Sequence, residues 1–247
     1  MRRTAGILFG VATHVLFAFT VWHLFWFLAG TSPDAATGRD ASVATDATVD
    51  AMLAAAFAIP HSLLLVPAVR KSIVTRGLIA PLYGCFYCVA SCMSLLTTIL
   101  FWRPIELVLW RWPAPFDGVV SCCFAASWAA LFYSLHLTGL RWQTGLTPWW
   151  HWVRGQPQPR RGFTERGAYR FLRHPVYLSF LGLIWFVPTV TLDRAVLMAV
   201  WSAYIFVGSV LKDRRLLFFI GTVYRDYQAR VPGYPGMPLG PLARVKG

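Results

Sequence analysis

Charge is what this chain has least of. Of its 247 residues only 13% are Asp, Glu, Lys or Arg, against 57% hydrophobic and 16% aromatic. Together with a mean hydropathy of +0.53, that balance excludes an ordinary water-soluble globule, in which about a quarter of residues are charged. Acid is scarcer still, 10 Asp and Glu against 23 Lys and Arg, for a net charge of +13. Cysteine is limited to five. Cys85 and Cys88 form a C-x-x-C, but no second pair with ligand spacing follows in a loop, so the pattern of a metal or redox site is incomplete. No G-x-G-x-x-G follows a strand, which excludes the ordinary dinucleotide-type pocket. No long repeat or low-complexity tract is present. No pair of interrupted apolar runs recurs in corresponding halves, the mark of inverted-repeat transporters.

What is there is a series of apolar runs. A helix rising 1.5 Å per residue needs roughly 20 apolar residues to cross about 30 Å of hydrocarbon. Six segments qualify: Ala5 to Ala29, Ala47 to Pro67, Leu78 to Phe101, Gly118 to Leu140, Val176 to Leu192 and Ala195 to Leu211. The last two are separated only by Asp193 and Arg194, which predicts a helical hairpin. The first follows Arg2 and Arg3 as a signal peptide's apolar region would, but it is longer than the usual 7 to 15 residues and reads as a span. The fold class is therefore all-α, a polytopic membrane protein with about six transmembrane helices plus short cytoplasmic helices.

Charge placement gives the orientation. With the N-terminus inside, the inner segments hold 19 of the 23 Lys and Arg residues, leaving Arg39, Arg103, Arg111 and Arg194 outside. The acids reverse the trend, with only Glu165, Asp213 and Asp226 inside. This positive-inside pattern predicts a multi-pass membrane protein with both termini cytoplasmic. Membrane lipids account for the basic excess, and no nucleic acid is needed.

The chain changes character near residue 141, dividing into a four-span N-terminal bundle, 1–140, and a core, 141–247. In the first part the outer loop Gly30 to Asp50 reads as flexible, the loop Trp102 to Asp117 carries Trp110 and Trp112 as an interfacial belt, and the cysteines, all within spans, read as packing. In the second part Trp142, Trp149, Trp150 and Trp152 stand beside Arg154, Arg160 and Arg161, which suits a short helix in the headgroup plane. The tail "KDRRLLFFIGTVYRDYQARVPGYPGMP" continues the last span inward and ends at a Pro/Gly cluster.

The stretch "RFLRHPVYLSF" places Arg173, His174 and Pro175 at the doorway of the fifth span. Pro175 fits a helix's first turn, where a missing N–H is harmless. Asp213 leaves the sixth span on the same side, so the hairpin is expected to bring it to the depth of Arg173 and His174. Ionisable groups at that boundary are functional candidates. Arg173 beside a helix N-terminus suits an anionic group such as a carboxylate.

At these residues the chain resembles a family. "RHPVY" (Arg173 to Tyr177), an acidic residue closing the next span in "KDRRL", and "IGTVYRDYQARVP" (Ile220 to Pro232) are similar to the C-terminal signature of the isoprenylcysteine carboxyl methyltransferase superfamily, integral membrane enzymes that use S-adenosylmethionine. Upstream, "AFAIPHSLLLVPAVRK", "LFWRPIELVLW" and "GLRW" resemble bacterial methanethiol S-methyltransferases and related denitrification-associated membrane proteins. The superfamily usually has two consecutive glutamates where this chain has Lys212 and Asp213, and a glycine at Ser179. The resemblance implies a methyltransferase acting on a small thiol, methanethiol giving dimethyl sulfide. In it Arg173 binds the cofactor's carboxylate, His174 orients the cofactor, Asp213 accepts from ribose hydroxyls or the amine, and Tyr177, Tyr224 or Tyr227 supply aromatic walls for the sulfonium. It implies no metal.

A thiol acceptor reacts as thiolate, and His61 and His136 are candidates to deprotonate or orient it, each with an interhelical hydrogen bond as the plain alternative. Other readings stay open on the sequence. They are a methyltransferase for a lipid or prenylcysteine acceptor, a non-enzymatic membrane protein linked to nitrogen-oxide metabolism, and a haem carrier using His14, His23, His61 or His136.

Overall fold

A computed structural model describes residues 3–30, 42–159 and 162–245. Most of the outer loop expected after Gly30, together with Arg2, Arg160 and Arg161, lies outside the described residues. The chain order is α1 (Arg3–Ala29), α2 (Val43–Leu63), α3 (Pro67–Thr75), a short turn of helix at Ala80–Leu82 leading into α4 (Tyr83–Phe101), β1 (Val108–Arg111), α5 (Phe116–Thr138), α6 (Leu140–Gln143), α7 (Leu146–Arg154), α8 (Pro175–Trp185), β2 (Thr189–Thr191), α9 (Leu192–Ile220) and α10 (Thr222–Arg230). Among the described residues the protein is all-α apart from the paired β1 and β2. Among the described residues five helices, α1, α2, α4, α5 and α9, are long and apolar enough to cross a membrane.

Local chemistry moves several expected boundaries. The second helix begins at Val43, inside the stretch read as flexible, because Ser42 Oγ accepts from Thr45 N at 3.2 Å and caps it, with Asp46 in the first turn favoured by the helix dipole. It ends at Leu63, since Pro67 opens α3 and Val66 before it is extended. The expected fifth span, Val176 to Leu192, is helical only over the 11 residues of α8. That is about 16 Å of helix, by itself less than the hydrocarbon thickness. Pro188 cannot continue the helix, and the β-branched Thr189, Val190 and Thr191 form β2 instead. The sixth expected span is longer than its apolar run, 29 residues or about 44 Å, so its last turns exceed the hydrocarbon thickness. The backbone of α8 packs chiefly along α5, not α9. Gly182 makes this possible, because a Cβ there would sit 2.3 Å from Ser127 Oγ. The expected hairpin partners α8 and α9 meet through side chains, as where Trp185 Nε1 donates to Ser202 Oγ at 2.9 Å.

Two compact units interleave along the chain. The first comprises residues 1–108, 139–160 and 191–197. In it α1 and α2 pack against α4. Buried and half-buried polar groups pin the ends: Asp50 accepts from Arg103 N at 2.8 Å, Arg103 pairs with Asp46 at 2.9 Å, and Trp102 Nε1 donates to Asp193 at 3.0 Å. Helix α7 docks by Trp149, whose Nε1 donates to Gly6 O at 3.0 Å and whose indole covers Gly10. Cys85, Cys88 and Cys92 are buried in α4. The second unit comprises 109–138, 161–190 and 198–247. It contains α5, α8, most of α9, α10 and the tail, and it carries the site.

Candidate functional site

The site is built where α8 begins, α9 ends and the Pro/Gly tail folds back. Arg173 N donates to Pro232 O at 2.9 Å and His174 N to Gly233 O at 3.3 Å, so the tail runs beside the residues that precede α8. A second layer closes on the first, with Gly233 N donating to Leu242 O at 2.7 Å and Val245 N to Gln228 O at 3.1 Å. Gly233 is required there, since a Cβ would meet Leu242 O at 2.8 Å and His174 at 3.3 Å.

Arg173 is 1% exposed and Asp213 4%. Arg173 Nε donates to Asp213 Oδ2 at 3.0 Å, and Nη1 donates to the carbonyls of Val231 (2.6 Å), Ala243 (3.2 Å) and Gln228 (3.4 Å). Nη2 lies 2.9 Å from Oδ2 without the alignment of a hydrogen bond. The other carboxylate oxygen accepts from Tyr224 Oη at 2.5 Å and lies 3.1 Å from His174 Nε2. A buried charge pair is tolerated only when its spare lone pairs and protons are also bonded, and this one nearly is. The exceptions are His174 Nδ1, which has no hydrogen-bond partner among the described residues, and Arg173 Nη2 and His174 Nε2, which face Asp213 at 2.9 and 3.1 Å without good alignment. Unbonded buried polar atoms are uncommon, and each calls for a physical account.

Burial holds the His174 imidazole below its ordinary pKa, against the pull of Asp213 and with help from the charge of Lys212. The ring is therefore neutral at pH 7, and one nitrogen is free to accept. Burial, reinforced by the Asp213 carboxylate, raises the Tyr224 phenol well above its usual range, so it stays a proton donor. Tyr177 stacks on His174, with centroids 5.5 Å apart and planes at 18°, and Tyr234 covers the ring at 5.6 Å while its hydroxyl bonds Ser209 at 2.6 Å.

The structure thus brings together Arg173, His174, Tyr177, Asp213 and Tyr224. Tyr227 is close by, but its hydroxyl donates to Tyr169 O at 2.6 Å and its ring is buried with Phe163, Tyr224 and Val231. His136 is exposed in the last turn of α5 and takes no part in these hydrogen bonds. His61 lies in the first unit, in the last turn of α2, within 2.8 Å of Tyr87 Oη and 3.2 Å of Ser91 Oγ. Tyr234, Tyr169 and the tail carbonyls were not read from the sequence. The Pro/Gly cluster was the only sign that the chain turns back there. The same tail borders an open cleft of about 320 Å³ lined by Pro232, Gly236, Met237, Pro238 and Arg244.

Known proteins match along nearly the whole chain. Methanethiol S-methyltransferase 1 of Bradyrhizobium diazoefficiens is 32% identical over 236 residues, covering 92% of this chain and 80% of that protein. This chain belongs to the methanethiol S-methyltransferase family. The methanethiol S-methyltransferase of a Pseudomonas species is 27% identical over 255 residues, 99% of this chain and 94% of its own. Nurim of Xenopus laevis is 26% identical over 166 residues, 64% of this chain and 58% of nurim. No family model matches, and no solved structure does. As a family member the protein is a multi-pass membrane enzyme of the S-methyltransferase class, which requires a methyl donor.

Proposed function

We propose that the protein transfers a methyl group from S-adenosylmethionine to methanethiol, forming dimethyl sulfide, at the cytoplasmic face of a bacterial inner membrane. The observation that carries the donor site is the buried Arg173–Asp213 pair with spare nitrogen atoms on Arg173 and His174. These atoms match the donor's chemistry. A guanidinium N–H suits its carboxylate, a neutral imidazole nitrogen suits a hydroxyl or amine, and tyrosine faces suit a sulfonium. With Nε and Nη1 already engaged, Arg173 offers only Nη2, which also faces Asp213 Oδ2 at 2.9 Å, rather than a two-pronged clamp. Asp213, bound by Arg173 and Tyr224, serves first to hold those groups in place.

The donor supplies a methyl group on positively charged sulfur, which leaves as a neutral thioether. The protein's part is alignment and dehydration. Arg173 and His174 fix the donor, Tyr177 and Tyr234 fix His174, and the folded tail excludes water from that corner. His61, its ring held by Tyr87 and Ser91, is assigned to the acceptor side of the reaction, and His136 has no role in this reading. Detergent-solubilised protein incubated with labelled S-adenosylmethionine and a panel of methanethiol, hydrogen sulfide and a prenylcysteine is expected to yield labelled dimethyl sulfide. Folded protein that neither binds the donor nor transfers to any of the three would end this reading.

A further inference from the structure

Lys212 stands where a positive charge needs explaining, one residue before Asp213 and among cations. Its ammonium lies 5.2 Å from the centroid of the Tyr177 ring and 5.8 Å from that of Tyr169. Tyr177 is in turn stacked on His174. Two ring faces turned to one cation are the means by which proteins hold ammonium and sulfonium groups alike. We propose that Tyr169 and Tyr177 form an aromatic seat for positively charged sulfur, occupied by the Lys212 ammonium until the donor's sulfonium displaces it.

This inference rests on the methyl-transfer reading above and adds two residues to it, Tyr169 and Lys212. Two positive groups cannot share the seat, because unit charges a few ångströms apart repel strongly where water is scarce. Lys212 therefore competes with the charged donor but hardly with a neutral thioether. During transfer the thiolate's electron pair forms the new S–CH3 bond, and the old C–S bond breaks with its pair staying on the donor sulfur. That sulfur thereby loses its charge. The thiol's proton has already left to solvent. The spent donor no longer competes as a cation, and Lys212 returns to the rings.

Affinities of the detergent-solubilised full chain for S-adenosylmethionine and for S-adenosylhomocysteine, measured by calorimetry, test this. Lys212→Met is expected to tighten S-adenosylmethionine about tenfold and to leave S-adenosylhomocysteine within about twofold. Tyr169→Leu is expected to weaken S-adenosylmethionine selectively, while Lys212→Arg, which also covers a ring face, keeps the wild-type pattern. Equal shifts for both ligands, or none, in folded Lys212→Met would overturn the seat while leaving the donor site standing. If Lys212→Met does not fold, Tyr169→Leu decides alone, and an unselective loss rejects the proposal. Wild-type protein that binds neither compound overturns the donor reading and the seat with it.

Discussion

Replacing Asp213 by Asn removes one charge at almost constant shape, which isolates what the carboxylate does. In the native protein its two oxygens receive Arg173 Nε at 3.0 Å and Tyr224 Oη at 2.5 Å. The amide leaves a guanidinium that is 1% exposed with only carbonyl partners. Breaking a buried pair in this way destabilises by about 3–5 kcal/mol, and the near-isosteric change belongs at the lower end. At about 2–4 °C per kcal/mol for a chain of this size, the unfolding midpoint falls by about 6–12 °C. Tyr224→Phe keeps the ion pair and loses one hydrogen bond to a charged acceptor, about 1.5–3 kcal/mol. Arg173→Met strands the carboxylate and three carbonyls together and ranks worst. Thermal unfolding in detergent, followed by tryptophan fluorescence with donor affinity measured on the same samples, should therefore order the losses Arg173→Met, Asp213→Asn, Tyr224→Phe. A midpoint for Asp213→Asn equal to wild type, or a Tyr224→Phe loss as large as that of Asp213→Asn, would refute the view that the charge pair organises this corner.

Three further outcomes are expected. Because His174 has a folded-state pKa below its ordinary 6.5, the unfolded chain binds more protons as pH falls through about 6.5, so this residue's contribution to stability is present above that pH and lost below it. Midpoints measured between about pH 5 and 8 should fall on the acid side, less steeply in His174→Gln, and identical slopes would contradict the assignment. Gly233→Val forces a side chain onto Leu242 O and His174 and should abolish donor binding, whereas Gly236→Ala, with nothing within 4 Å of its added carbon although its φ is +70°, should lose far less. His61→Ala should leave donor affinity unchanged and slow transfer, checked by calorimetry beside a dimethyl sulfide assay.

Much of this protein is legible in residue order alone, and for a definite reason. Hydrophobic runs and Lys/Arg asymmetry are local properties set against a solvent of fixed thickness, so α1, α4 and α5 fall close to the expected segments. That Arg173, His174 and Asp213 come to one depth was also readable, because they stand at the foot of adjoining apolar runs; that Arg173 and Asp213 bond each other was not. Reading by hydropathy missed how Val176 to Leu192 is built, since the run is apolar as a whole while Pro188 and a β-branched triplet end the helix at Trp185. It failed again at the tail, whose Pro/Gly composition signals a turn but not its destination.

Sequence by itself determined that the chain lives in a membrane, which way it is expected to face and which ionic side chains have reason to meet, since burial energies and charge costs act residue by residue. Tertiary structure alone decided that α8 leans on α5 through the gap at Gly182, that the tail's carbonyls consume one arm of Arg173, and that Tyr169, Tyr177 and Tyr234 surround His174 and Lys212. Those outcomes depend on which surfaces fit at a few ångströms, and close fit between segments distant in the chain leaves no periodic mark in any one of them.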